Sequence, residues 1–192
     1  GLTMLLMNVW EMRGLVEMKR RSKWPEILIL VEHDPIFTMG RRAEASDILA
    51  SRDDLAEKGI RVRRVERGGL VTYHGPGQLI AYPIFNLYRM GLGAADLIQG
   101  LEEVIMNTLS DFGIHGRRKE AARGVWVESE KIASVGVAVR GGVSFHGLAL
   151  NVDPDLSHFD LIKPCGLSGV RMTSMARILG KPVNAPKLRE AV

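Results

Sequence analysis

The chain has a single cysteine, Cys165, in 192 residues, so an internal disulfide is excluded and a reducing compartment is the natural setting. It has no apolar run near the roughly 18 residues that a membrane span requires. The longest run, Ile27 to Val31, has the length of a buried strand. The opening residues, GLTMLLMNVWEMRG, lack the basic leader and small-residue cleavage site of a signal peptide. A cytoplasmic location with no membrane association is therefore expected. Repeats, low-complexity stretches and Pro/Gly/Ser linkers are also missing, which predicts one domain over 1–192. The repeated strand–helix crossovers of a doubly wound nucleotide fold are absent as well. The basic clusters at 19–21, 61–67 and 117–119 are scattered and carry no interleaved aromatics, which argues against nucleic acid as a partner. No pairing of Cys165 with His74, His146 or His158 has zinc-ligand spacing, so no metal is expected.

What is present suits a globular domain with its own core: 46% hydrophobic and 25% charged residues, with a formal charge of +4 that favours acidic protein partners. The spacing predicts a helix over 7–21. EILILVEH (26–33) reads as a strand covered on both faces, with IFTMG (36–40) as its partner beyond the Asp34-Pro35 break. A helical stretch near 46–58 ends at Gly59. Strands at 60–66 and 70–73 flank Gly68-Gly69, and 78–85 is a further strand. Leu97, Leu101, Val104, Ile105, Leu109 and Phe112 form one stripe of a helix over 94–112, closed by Gly113. Strands follow at 124–128, 131–139 and 143–152, separated by Glu128-Ser129-Glu130 and Arg140-Gly141-Gly142. A short helix is expected at 173–179. Hairpin-connected strands with interspersed helices predict an α+β fold: a mixed, mostly antiparallel sheet packed with helices.

Four segments carry potential chemistry. RGGLVTYHGPG (67–77) holds four glycines and a proline in eleven residues, too many for a strand interior. It reads either as two tight turns or as backbone that approaches a ligand, with Arg67 able to hold an anion or carbonyl. Lys131 shares strand parity with Ala133, Val135 and Val137, so it either snorkels from a strand end or sits partly desolvated. Ser134 and Gly136 face the other way. In SFHGLALN (144–151), His146 shares parity with Leu148 and Leu150 and could be a core histidine, while Gly147 and Ala149 leave space opposite. Cys165 stands between a proline and a glycine, a poor arrangement for filling a core. A free thiol is only a few per cent thiolate at pH 7, and a nearby ammonium raises that fraction. Lys131 is the candidate ammonium.

Together the segments resemble the lipoyl(octanoyl) transferase family. RGGLVTYHGPGQLIAYPIFNL (67–87) is similar to that family's signature, and GVWVESEKIASVGVAV, FHGLALNV and IKPCGLSGVRMTSM follow in the family's order. The resemblance runs from about Glu32 to Ile178, while the first 25 residues match poorly. It implies a fold like the lipoate/biotin protein ligase catalytic domain. It also implies a ping-pong transfer in which Cys165 takes an octanoyl group from octanoyl-acyl carrier protein and yields it to a lysine of a lipoyl domain. The acceptors would be the lipoyl domains of 2-oxoacid dehydrogenase E2 subunits and the glycine cleavage H protein. Lys131 matches the family's activating lysine. Arg67, Gly68, Gly69, Leu70, Val71, Thr72, Tyr73, His74, Ser134, Val135, Gly136, Gly147, Leu148 and Ala149 match its acyl-binding segments. The donor is an activated thioester, so no ATP, metal or organic cofactor is implied. The rival readings are an ATP-dependent lipoate or biotin protein ligase and a non-catalytic acyl-binding protein.

Overall fold

A computed structural model of the chain describes residues 9–21, 24–120, 122–163 and 170–191. In chain order its elements are α1 (Val9–Arg21), β1 (Ile27–Val31), β2 (Ile36–Met39), α2 (Arg52–Glu57), β3 (Arg61–Arg64), β4 (Val71–His74), β5 (Gln78–Ile84) and α3 (Leu87–Met90). Then come α4 (Ala94–Asp111), β6 (Arg117–Lys119), β7 (Ala122–Val127), β8 (Glu130–Arg140), β9 (Val143–Asn151), α5 (Met175–Leu179) and α6 (Ala185–Ala191).

Six strands form one sheet in the order β1-β5-β9-β8-β7-β6, antiparallel at every pairing. Three more form a second sheet, β3-β2-β4, with β2 parallel to β3 and antiparallel to β4. This is the expected α+β architecture. The expected pairing of 26–33 with 36–40 is not found. Residues 32–35, with Pro35 among them, carry the chain out of the first sheet, so β1 pairs with β5 and β2 enters the second sheet. Nor is β1 covered on both faces. It is an edge strand, and Leu28 is 39% exposed.

Each face of the large sheet has its own core. Leu97, Leu101, Ile105 and Leu109 of α4 pack on Leu79, Val125, Ile132 and Leu150. On the other face Met12 and Val16 of α1 cover Ile80, Tyr82, Phe145 and Ala149. Alternation along β5 and β9 divides their apolar side chains between these two cores. The small sheet packs Phe37, Val71 and Tyr73 against Leu55, Phe159 and Ile162.

The helix predicted near 46–58 is two pieces, a 3-10 turn at Ala45–Asp47 and α2. Ser51 divides them by acting as N-cap: its Oγ accepts from the Asp54 N–H at 3.1 Å, while the Asp54 carboxylate accepts from the Ser51 N–H at 3.1 Å. Strand β6 and helix α6 were not foreseen. The Arg117-Arg118-Lys119 run reads as a basic cluster, yet it forms the outer edge of the large sheet. Among the described residues no helix is long and apolar enough to cross a membrane.

Candidate active site

A cavity of about 870 Å³ opens between the two sheets. One side is β8 and β9, where Ser134 pairs with Ala149 and Gly136 with Gly147. Small residues stand at all four positions, so backbone is laid bare along this wall. The facing side is the turn 67–70 and β4. The two sides are tied together where the Gly68 N–H donates to the Val137 carbonyl at 3.0 Å. Gly136 suits that approach, since a Cβ there would lie 3.1 Å from the Gly68 oxygen and 3.3 Å from the Arg67 stem, a tight fit.

Of the residues singled out in the sequence, Arg67, Gly68, Gly69, Leu70, Val71, Thr72, His74, Lys131, Ser134, Val135, Gly136, Gly147, Leu148 and Ala149 all line this cavity. Tyr73 is placed elsewhere. Strand alternation turns it into the core of the small sheet, 1% exposed, against Phe37, Phe159 and His158. Burial, with a smaller push from Asp155, raises its pKa to about 12, so it is a neutral packing residue there. Cys165 lies outside the described residues.

Arg67 is buried and held on the small sheet. Its guanidinium donates to the Thr38 carbonyl and, at 2.9 Å, to the Thr38 hydroxyl, and also to the Gly68 carbonyl at 3.1 Å. These bonds fix the cation beside the cavity. They leave its field directed at neighbouring groups, and three histidines register it or the burial around it.

His74 is bonded through Nδ1 to Gln78 Oε1 at 3.3 Å, and burial with the nearby Arg67 charge holds its pKa well below the usual value. His33 Nε2 is 2.7 Å from the Tyr82 hydroxyl, and its pKa is lowered mainly by burial. His146 is 5% exposed, and burial, reinforced by Arg67 and Arg13, lowers its pKa to about 3. All three imidazoles are therefore neutral near pH 7.

His146 also departs from its expected parity. Its φ of +58° breaks the alternation that would have put it with Leu148 and Leu150, a conformation uncommon outside glycine. The ring lies instead near Tyr82 and Phe145, and it lines the cavity.

Lys131 is 2% exposed, so of its two expected states the desolvated one is found. Its stem crosses Gly124, where a Cβ would come within 2.7 Å of Lys131 Cε, and its Nζ lies 5.7 Å from the centre of the Trp126 ring. The backbone of Lys131 is paired with the segment that follows Cys165. Its N–H donates to the Arg171 carbonyl at 2.8 Å, and its carbonyl accepts from Thr173 at 2.9 Å. On the other side of Cys165, the Lys163 N–H donates to the Asp47 carbonyl at 2.8 Å.

His33, Tyr82 and a set of arginines were missed in the sequence. Tyr82 sits in a strand whose hydrophobic run signals only core, and His33 follows β1 without any motif. Arg61 and Arg63 do alternate along 60–66, and that alternation was the available signal that both lie on one face of β3.

The fold and the cavity together define a catalytic domain of the lipoate and biotin protein ligase type. Lipoate-protein ligase A, solved with ATP bound, superposes with a TM-score of 0.74 at 20% identity, covering 94% of this chain and 77% of that one. A bipartite lipoate protein ligase from Thermoplasma acidophilum superposes with a TM-score of 0.71 at 20% identity, covering 98% of this chain and 78% of that one. Sequence goes further than shape: residues 8–192 match the lipoyl protein ligase A/B catalytic domain, and the chain belongs to that family. Among its relatives are octanoyltransferases of Syntrophobacter fumaroxidans, 50% identical over 88% of this chain and 74% of that protein, and of Chloroflexus aggregans, 45% identical over 94% and 82%. These relatives place the chain among the acyltransferases of the family.

Proposed function

We propose that this protein transfers an octanoyl group from octanoyl-acyl carrier protein to the target lysine of a lipoyl domain, through a thioester on Cys165. The acceptors would be lipoyl domains of 2-oxoacid dehydrogenase E2 subunits and of the glycine cleavage H protein, in the cytoplasm. The observation that carries this reading is the buried Lys131 at the cavity wall, its backbone bonded to Arg171, six positions beyond the cysteine.

The chemistry needs no activated cofactor, because the donor is already a thioester. Lys131, as an ammonium, stabilises the Cys165 thiolate. The thiolate attacks the donor carbonyl, the carrier sulfur leaves, and Lys131 gives it a proton. In the second half-reaction the acceptor amine attacks the Cys165 thioester and forms an amide. The amine loses a proton to Lys131, and the Cys165 thiolate leaves, so thiolate and ammonium are restored together. The tail would occupy the cavity beside Gly136, Gly147 and Ala149. Burying its roughly seven carbons provides about 5–6 kcal/mol. Neutral His33, His74 and His146 keep fixed charge away from that tail.

ATP dependence separates this reading from a ligase. Octanoyl transfer from the carrier protein to a lipoyl domain is expected without ATP. Transfer only from free octanoate, and only with ATP, would replace the reading with adenylation.

A further inference from the structure

The arginines near the cavity are more numerous than binding one acyl group requires. Arg42 follows β2, Arg61 and Arg63 share a face of β3, and Arg123 is the second residue of β7; all four residues line the cavity. Arg41 and Arg64 are exposed beside them. Arg61 pairs with Asp34 at 3.2 Å, both largely exposed. Among the described residues, Arg41, Arg42, Arg63, Arg64 and Arg123 make no ion pair with a carboxylate. Elsewhere Arg13 and Arg140 pair with Glu66, Arg20 with Glu17, Arg118 with Glu102 and Glu103, and Arg177 with Glu130. Other described arginines without a carboxylate partner, Arg52, Arg89, Arg117 and Arg171 among them, lie on separate elements or loops rather than around one opening. A chain whose net charge is only +4 thus gathers uncompensated cations at one place. Like charges so gathered repel one another and lower stability, and they raise the local concentration of an anionic partner. Moreover, β3 is the outer strand of the small sheet, so nothing in that sheet screens the rim from an approaching protein.

We infer that the rim formed by Arg42, Arg61, Arg63 and Arg123 is the docking surface for the acidic protein that carries the donor thioester. The inference rests on the proposed function and adds where the carrier sits. A carrier bound there delivers its thioester arm into the opening, while the acidic surface of its body meets the arginines. Exposed charges of this kind act chiefly on encounter rate and on salt dependence. The rim should therefore govern KM for the carrier rather than the chemical step.

The test compares Arg61→Glu/Arg63→Glu with wild type, using octanoyl-carrier protein and octanoyl-pantetheine, a donor with the same thioester but no acidic body. Unchanged far-UV circular dichroism and melting within a few degrees establish folding. The account predicts that KM for the carrier rises about tenfold with kcat retained, that its salt dependence flattens, and that KM for octanoyl-pantetheine changes less than about twofold. Arg42→Glu in the same assay should act in the same direction. Equal changes for both donors would overturn the inference, since the rim would then serve the acyl site itself. So would a change in KM for the lipoyl domain alone, which would give the rim to the acceptor. A wild-type protein that takes no octanoyl from either donor would fail the proposed function instead.

Discussion

The two walls of the cavity do different work with different means. On β8 and β9 the positions at the opening are serine, glycine and alanine, and what they present to the cavity is largely backbone. On the facing side stand Arg67, His74 and the rim arginines Arg42, Arg61 and Arg63, while Arg123 reaches the rim from β7. The bare wall makes room, and shape is its contribution. The polar wall sets the electrostatics, and it pairs one buried, fully bonded arginine with neutral imidazoles. Lys131 belongs to the strands of the bare wall and is buried there. Its burial at that wall makes its removal the most costly for the proposed chemistry.

The largest expected effect follows from that. Lys131→Ala should reduce acyl-enzyme formation by about a hundredfold or more, the range for loss of a positioned proton-transfer group. It should also move the pH midpoint for alkylation of Cys165 upward. An unchanged midpoint would take Lys131 out of the activating role.

Stability should distinguish the two walls next. At Gly147 a Cβ would lie 2.0 Å from the Ala81 carbonyl on the neighbouring strand, whereas at Gly68 the nearest atom is 3.7 Å away. Gly147→Ala is expected to cost about 2–3 kcal/mol through forced separation of β5 and β9, and Gly68→Ala less than about 0.5 kcal/mol. Denaturant unfolding of both variants measures the difference; equal costs would mean that the bare wall is not tightly built.

A smaller effect concerns chain length. Ser134→Leu puts four carbons where the cavity is lined by a hydroxymethyl group, and hexanoyl donors should gain about tenfold over octanoyl donors in kcat/KM. No change in preference would place the tail elsewhere.

The smallest concerns pH. His33, His74 and His146 have folded pKa values below their unfolded value. The unfolded chain therefore takes up more protons below about pH 6.5, and the stability these groups contribute above that pH is lost as pH falls. For His146 the loss continues to about pH 3. His146→Phe should flatten the fall in melting temperature between pH 6.5 and 5, and a slope identical to wild type would count against a buried neutral imidazole.

Much of this was legible before the structure. Helical periodicity located α4, and apolar runs bounded by turn residues located the strands β5, β7, β8 and β9, of which β5 and β9 are buried on both faces. The glycine pattern located both walls, since close backbone approach leaves glycine as its trace. Three things escaped for physical reasons. The partner of β2 is decided by the path of residues 32–35, and hydrophobic pattern says nothing of partners. The orientation of His146 depends on one left-handed φ, which nothing in FHGLAL announces. His33 and Tyr82 meet across 49 positions, so neither marks the other in sequence. Tyr73 shows the reverse: it sits inside the glycine-rich segment 67–77 and faces the core behind it.

The central claim is that octanoyl rides on Cys165. Intact-protein mass spectrometry after incubation with octanoyl-carrier protein, without acceptor, tests it directly. The account predicts a gain of one octanoyl group that hydroxylamine removes and that Cys165→Ser abolishes. A wild-type protein of unchanged mass, or an adduct that persists in Cys165→Ser, would contradict it.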